Sequence, residues 1–411
     1  MIWDNGIGEA LHELKSHKLR TFLTLLGMIF GVGSVISMLM VGKGAEKEAL
    51  RLIDSMGLRN LIVEAKSYST DELKEIREQS PGLRLADLAA ARETLPLLSG
   101  EAATKSLQPY ILFGPAGQSK AEVVGVTPSY FELSQLSLAE GRPILEMDQE
   151  FTARVCVLGA RAAAELFGSE KALGGLIKVD HQWLEVVGVL TAQSPDQGEF
   201  EGVALKGPDA QILMPLNTRL RLFRDLPFRD EIDHFIVQVQ PGVASLQAAQ
   251  PLAQLMAVRH KKVDDYTLIV PEALLQQHRK TQSIFNIVMA SIGAISLLVG
   301  GIGIMNIMLA NVLERTREIG LRRAIGARRR DIMQQFIAEA LTISATGGLL
   351  GIVLGVALAY AIAGFSGWPV GWSLLPILLA VGSCGLIGLL FGIYPALKAS
   401  RLDPIEALRH D

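Results

Sequence analysis

The chain has almost no cysteine. Two of its 411 residues are Cys: Cys156 in a polar middle region and Cys384 inside an apolar run. Those positions do not suit a bridge, and they report neither redox compartment nor metal binding. Charge is missing from two long stretches. No Asp, Glu, Lys or Arg occurs from Thr281 to Leu313, and none between Glu339 and Lys398. No acid, base or histidine sits at the centre of an apolar run, which disfavours a secondary transporter built on an ion or proton relay. Catalytic motifs are missing too. There is no GxxxxGK[ST] phosphate loop: Gly114–Lys120 lacks its spacing, and Gly301-Ile-Gly303 lies within an apolar run. There is no HExxH and no GxSxG, and the seven histidines are scattered. Asp264 and Asp265 read as a solvated acidic pair. A net charge of −3 speaks against a nucleic-acid partner.

What is present is apolar length. The chain is 49% hydrophobic with a positive mean hydropathy, so a few membrane spans coexist with a large polar part. Residues 1–20 contain Ile7, Leu11 and Leu14 at helical spacing, which fits an amphipathic cytoplasmic segment at the bilayer interface. Residues 21–42 form a first span, preceded by Lys15, Lys18 and Arg20. It has spanning length and no small-residue cleavage site, so it reads as an uncleaved span. Residues 43–280 are polar and alternate between strand and helix patterns, giving an extracytoplasmic domain of two lobes. In it, residues 44–57 continue the first span as a helix, and residues 191–209 read as an exposed loop. Pro271 opens a helix that runs into a second span with a stalk, residues 281–312. Residues 332–363 and 374–394 form spans three and four, joined by a short outer turn, 364–373, holding Trp368 and Trp372. Residues 395–411 are a cytoplasmic tail. The fold class is thus an integral membrane α-helical protein with a one-plus-three span layout and a large α+β domain between spans one and two.

Residues 313–331 organise the rest. Glu314–Asp331 holds arginines 315, 317, 322, 323, 328, 329 and 330 between two apolar runs. Crowded basic residues between spans mark a cytoplasmic loop. Leu321 and Ile325 are four apart, so they share a helix face and can enter a groove on a partner. Gly320 and Gly326 bracket that helix, with Gly326 as its stop. Arg322 and Arg323 can pair with acidic groups on the partner. Arg328–Arg330 read as anchors at anionic headgroups, and Glu339 as a structural partner of the loop arginines. The spans carry small residues four apart: Gly27 and Gly31, then Gly347, Gly351 and Gly355, then Gly388 and Gly392. These faces should meet other helices, within the chain or across a dimer.

ERTREIGLRRAIGARRRDI (314–332) and YPALKASRLDPIEALR (394–409) resemble signatures of MacB/FtsX-type ABC transporter permeases. VVGVTPSYFELSQLSLAEGRPI (123–144) and VCVLGARAAAELFGSEKALGGLIKV (155–179) are similar to that family's external domain. The resemblance implies a non-catalytic inner-membrane subunit with both termini cytoplasmic. It implies a second permease copy, a homodimer before a heterodimer. It also implies an ABC ATPase, on a separate chain, docked on Glu314, Arg315, Arg317, Glu318, Ile319, Gly320, Leu321, Arg322, Arg323, Ile325 and Gly326. ATP and Mg would be bound by that ATPase, with no cofactor or metal in this chain. Such permeases use ATP-driven motion to act on substrates outside the membrane, here a hydrophobic or peptide-like one, with a periplasmic adaptor and an outer-membrane duct. Regulation of a cell-wall hydrolase and release of lipoproteins are the alternatives.

Overall fold

In a computed structural model the described residues are 18–192, 198–200, 203–205, 207–366 and 370–409. The expected interfacial segment before Lys18 and Trp368 lie outside them. The chain opens on helix α1 (Lys18–Met56), then β1 (Asn60–Ala65), α2 (Thr70–Gln79), α3 (Leu85–Thr94) and β2 (Leu98–Leu107). Next come β3 (Leu112–Gly114), β4 (Gly117–Gln118), β5 (Glu122–Val126), α4 (Tyr130–Leu133), β6 (Leu138–Gly141) and α5 (Glu146–Glu150). Then follow β7 (Val155–Leu158), α6 (Ala160–Phe167), β8 (Leu176–Val179), β9 (Gln182–Leu190), β10 (Gly198–Phe200) and β11 (Val203–Leu205). After these come β12 (Gln211–Pro215), α7 (Leu216–Leu222), β13 (His234–Val239), α8 (Ser245–Arg259) and β14 (Tyr266–Ile269). The chain closes on α9 (Pro271–Glu314), α10 (Thr316–Ala324), α11 (Arg329–Ser366), α12 (Leu374–Ser400) and α13 (Pro404–Arg409).

Two compact units result: residues 49–278, and residues 1–48 with 279–411. The first is built on one sheet in the order β14-β1-β13-β2-β5-β12-β7-β9-β8-β3-β4, with β6 paired to β9. Among the described residues, only β5–β12 and β7–β9 run parallel. The two lobes share this sheet but have separate cores. One core gathers Leu61, Val63, Phe235, Val237, Leu252 and Met256 from the ends of the segment. The other gathers Val123, Cys156, Leu158, Leu166, Ile177 and Val186 from its middle. The loop expected over 191–209 carries instead, where described, a short β10–β11 hairpin and the start of a 3-10 turn at Pro208–Ala210. Asp265 is buried, contrary to the solvated reading; Asp264 alone faces water and binds Lys66.

The second unit contains four helices long and apolar enough to cross a membrane, among the described residues. α1 continues past the apolar run to Met56 and is stopped at Gly57, whose φ of +78° suits glycine. α9 has 44 residues, about 66 Å of helix where a bilayer core needs about 30 Å. α12 runs on through Pro395 to Ser400, beyond the expected end at residue 394.

Every glycine ladder is spent inside the chain. A Cβ on Gly27 would lie 3.2 Å from Gly300 Cα, and one on Gly31 3.2 Å from Leu297 Cγ, so the first ladder seats α1 on α9. Gly347, Gly351 and Gly355 pack on Met28, Val32 and Gly33 of α1. Gly388 and Gly392 pack on Ser344 and Ala340 of α11. The dimer alternative for these three faces is thereby replaced by intrachain packing. The sequence reading missed the complementary Gly293 and Gly300 of α9, which let the backbones of α1 and α9 approach.

Candidate functional site

The arginine loop folds into α10, with Gly326 at φ +115° ending it and α11 starting three residues later. One face of α10 is built in. Thr316, Ile319 and Gly320 are buried, and Ile319 joins the core of the helix bundle with Val312, Ile332 and Phe336. Gly320 does not bracket the helix. It lies inside α10, where a Cβ would come within 2.6 Å of Ala407 Cβ of α13. Ile319 and Gly320 therefore serve internal packing in this arrangement, not an outer partner surface.

Three arginines turn back onto the chain. Arg315 Nη1 lies 3.7 Å from Glu339 Oε2, and Asn311 Nδ2 donates to Glu339 Oε1 at 3.3 Å. Glu339 is 2% exposed, so these groups bear the cost of its burial, as the sequence suggested. Arg322 Nη1 donates to Gln335 Oε1 at 2.8 Å, and its Nη2 donates to Glu318 one turn back. Arg323 Nη1 donates to the carbonyls of Ser400 (3.1 Å) and Leu402 (2.7 Å), the closing carbonyls of α12 and its exit. A guanidinium suits that position, because a cation complements carbonyls left open at a helix C-terminus. Arg322 and Arg323, expected to pair with acidic groups on a partner, are half-buried here and brace α10 against α11 and α12.

The outward face is apolar and lightly charged. Leu321 is 52% exposed and Ile325 79%, with Arg317 and Glu318 exposed beside them. Exposed aliphatic side chains on a braced helix gain by burial in a partner, at about 25 cal/mol per Å². Glu314 and Gly326 are also exposed. Arg328, Arg329 and Arg330 are exposed at the start of α11, where Asp331 caps the backbone N–H of Arg328 at 2.9 Å. Sequence reasoning missed Asn311, Gln335 and Ala407. Asn311 and Gln335 were legible as polar residues at the inner ends of apolar helices.

The external unit contains one group that imitates a hydrolase site. Ser80 Oγ lies 3.1 Å from His260 Nδ1, and Asp265 Oδ1 lies 2.8 Å from the same nitrogen. In a serine triad the hydroxyl and the carboxylate occupy opposite ring nitrogens. Here both share Nδ1, Nε2 faces Asp87 at 3.6 Å, and Ser80, His260, Asp87 and Asp265 are all buried. Burial alone would lower the His260 pKa. Hydrogen bonds and charge from Asp265 and Asp87 outweigh it and raise it to about 9. Burial would raise both carboxyls, but the bonds to His260, with Arg259 on Asp87 and Ser80 on Asp265, hold them low. The group is an ionic tie between α3, α8 and β14. No cluster of three His, Cys, Asp or Glu among the described residues could hold a metal ion. An apolar cleft of about 390 Å³ lies between α11 and α12, lined by residues such as Leu341, Ile352 and Val381.

Comparison with known proteins agrees in both units. Residues 21–255 match the MacB-like periplasmic core domain, and residues 290–404 the FtsX-like permease C-terminal. The chain is 35% identical over 413 residues to the macrolide export ATP-binding/permease protein MacB of Bdellovibrio bacteriovorus, covering 98% of this chain and 62% of that protein. It is 33% identical over 407 residues to the pyoverdine export ATP-binding/permease protein PvdT of Pseudomonas syringae pv. tomato, covering 98% and 59%. It thus spans about three fifths of the length of these relatives. The crystal structure of the periplasmic region of MacB from Actinobacillus actinomycetemcomitans aligns with a TM-score of 0.44 at 20% identity, over 56% of this chain and 97% of that one.

Proposed function

The chain belongs to the family of MacB-like and FtsX-like ABC transporter permeases, and we propose that it couples an ATP-binding component outside these 411 residues to movement of its external domain. It is a multi-pass inner-membrane protein, and in this reading both termini and α10 are cytoplasmic. The observation that carries the proposal is the outward face of α10. Leu321 and Ile325 stand bare on a short helix whose other side is fixed to the bundle by Ile319, Arg315, Arg322 and Arg323. A push on such a helix moves α11 and α12 with it instead of bending a loop. ATP and Mg belong to the ATP-binding component, since these residues contain no phosphate loop. Two copies would act as a homodimer, and the moving external domains would work with a periplasmic adaptor and an outer-membrane duct.

The work is export of a hydrophobic or peptide-like substrate. The relatives named for macrolide and pyoverdine export support that over control of a cell-wall hydrolase or release of lipoproteins. Affinity capture of the tagged protein from native membranes, with nucleotide trapped, tests the assignment. It should recover an ABC ATP-binding component together with an adaptor. Recovery of a hydrolase without an adaptor would favour regulation, and failure to recover any ATP-binding component would remove the coupling role.

A further inference from the structure

Between α7 and β13 the chain makes a loop whose two ends are buried and whose tip is bare. At its start Arg219, 1% exposed, donates to the carbonyls of Phe223 (3.2 Å) and Ser106 (3.1 Å) and to the Asp225 carboxylate. At its end buried Asp230 accepts the N–H of Leu83 at 2.7 Å and pairs with Arg77 at 2.8 Å. Lys105 Nζ donates to the Asp230 carbonyl at 2.7 Å, and Arg77 Nε to the Phe228 carbonyl at 2.9 Å. Between these anchors the Leu226 carbonyl accepts the N–H of Arg229 at 3.4 Å, closing a turn centred on Pro227 and Phe228. Phe228 has φ +67°. A turn with proline second and a left-handed third residue takes glycine or asparagine in that third place. A bulky side chain there is strained. Burial does not offset the strain, because Phe228 is 47% exposed and Leu226 70%.

We propose that the turn Leu226–Arg229 is a docking finger for a partner protein outside the cytoplasm, one with an apolar pocket rimmed by carboxylates. The inference rests on the reading above that the external domain works with a periplasmic adaptor, and it assigns that adaptor to this loop. Charge is the first ground for the choice. Asp225, the loop's own acid, is taken up by Arg219, and Glu231 beyond the loop accepts the N–H of Leu85 at 3.2 Å. Arg224 and Arg229 stand exposed on either side of the tip, so the charge it offers is positive. Fixity is the second ground. A fluid bilayer takes up a Leu-Pro-Phe tip in any conformation, and glycine in place of Phe228 would relieve the turn. A strained turn held from both ends instead suits a surface of fixed shape, where order set in advance strengthens binding. Arg77 and Arg219 are positioning residues: they hold the turn and touch no partner.

A photo-crosslinking residue at Leu226, in the full protein in native membranes, tests the contact, with adducts identified by mass spectrometry. Leu226 should capture the adaptor. If the adaptor co-purifies with the wild type while Leu226 captures only lipid or a second copy of this chain, the finger falls and the adaptor reading stands. If no adaptor co-purifies with the wild type, that reading falls and takes the finger with it. Phe228→Gly separates binding from folding. It should melt at or above the wild-type temperature, because glycine suits the left-handed backbone, yet recover the adaptor about tenfold less, the scale of losing one interface anchor. A lower melting temperature would show that the aromatic serves the fold, and unchanged recovery would show that it touches no partner; either result overturns the proposal. Arg224→Glu/Arg229→Glu should also lower recovery, and unchanged recovery would remove the acidic rim.

Discussion

At the residue scale, the arginines of the loop divide by partner. Arg315, Arg322 and Arg323 are bound within the chain, while Arg317 and Arg328–Arg330 are exposed. The bound ones should therefore affect stability. Glu339→Ala would leave the Arg315 guanidinium and Asn311 without their shared acceptor, at a cost of roughly 3 kcal/mol or more. A thermal melt of the purified protein in detergent would read it, and an unchanged melting temperature would show that Glu339 is not a structural tie. His260 gives a pH dependence. Its pKa rises from an ordinary 6.5 to about 9 on folding. Its stabilisation is thus fully present below about pH 6.5 and lost as pH rises through about 9. Asp87 and Asp265 are lowered from 3.8, so their contribution is present above that value and lost as pH falls through the depressed ones. Melts across pH should show a plateau with an alkaline fall that His260→Gln flattens. The same alkaline fall in His260→Gln would assign it to another group.

At the scale of elements, glycines inside and outside the ladders make opposite predictions. Gly355→Leu would drive its side chain into the Gly33 carbonyl and Ile36, overpacking the α1–α11 seam by about 1–3 kcal/mol. Gly382→Ala and Gly385→Ala meet nothing within 4 Å and should be tolerated, even helped by helix propensity. Detergent melts of the three variants decide this; equal stability would contradict the seam. Legibility followed the same physics. The spans and the continuation of the first one as a helix over residues 44–57 were readable because apolar length and a helix pattern closed by glycine are local signals. β2 was not. Its Leu98–Leu107 run holds Gly, Ala, Ser and Lys105, and it becomes a strand because β13 and β5 flank it. β12 was hidden behind Gly207-Pro208, although it lies mid-sheet. α2 announced itself through Ser69 and Glu72, a capping box that went unread.

At the scale of the molecule, the layout followed from charge and apolar length, and the outward Leu321 and Ile325 from their spacing. The direction in which each arginine turns did not. It depends on Gln335, Glu339 and the end of α12, which are distant in sequence and meet α10 only after the bundle packs. The molecule that results is a helix bundle with a braced, outward-facing α10 and a two-lobed external sheet, in a family whose relatives include export proteins with an ATP-binding part.

The most direct measurement is the rate of ATP hydrolysis by the ATP-binding component, reconstituted in lipid with this chain or with its Leu321→Asp/Ile325→Asp variant. Leu321 is 52% exposed and Ile325 79%, so the variant should insert and fold. If α10 is the docking helix, stimulation by the wild-type chain is lost in the variant. Equal stimulation by both chains would contradict the docking role of α10.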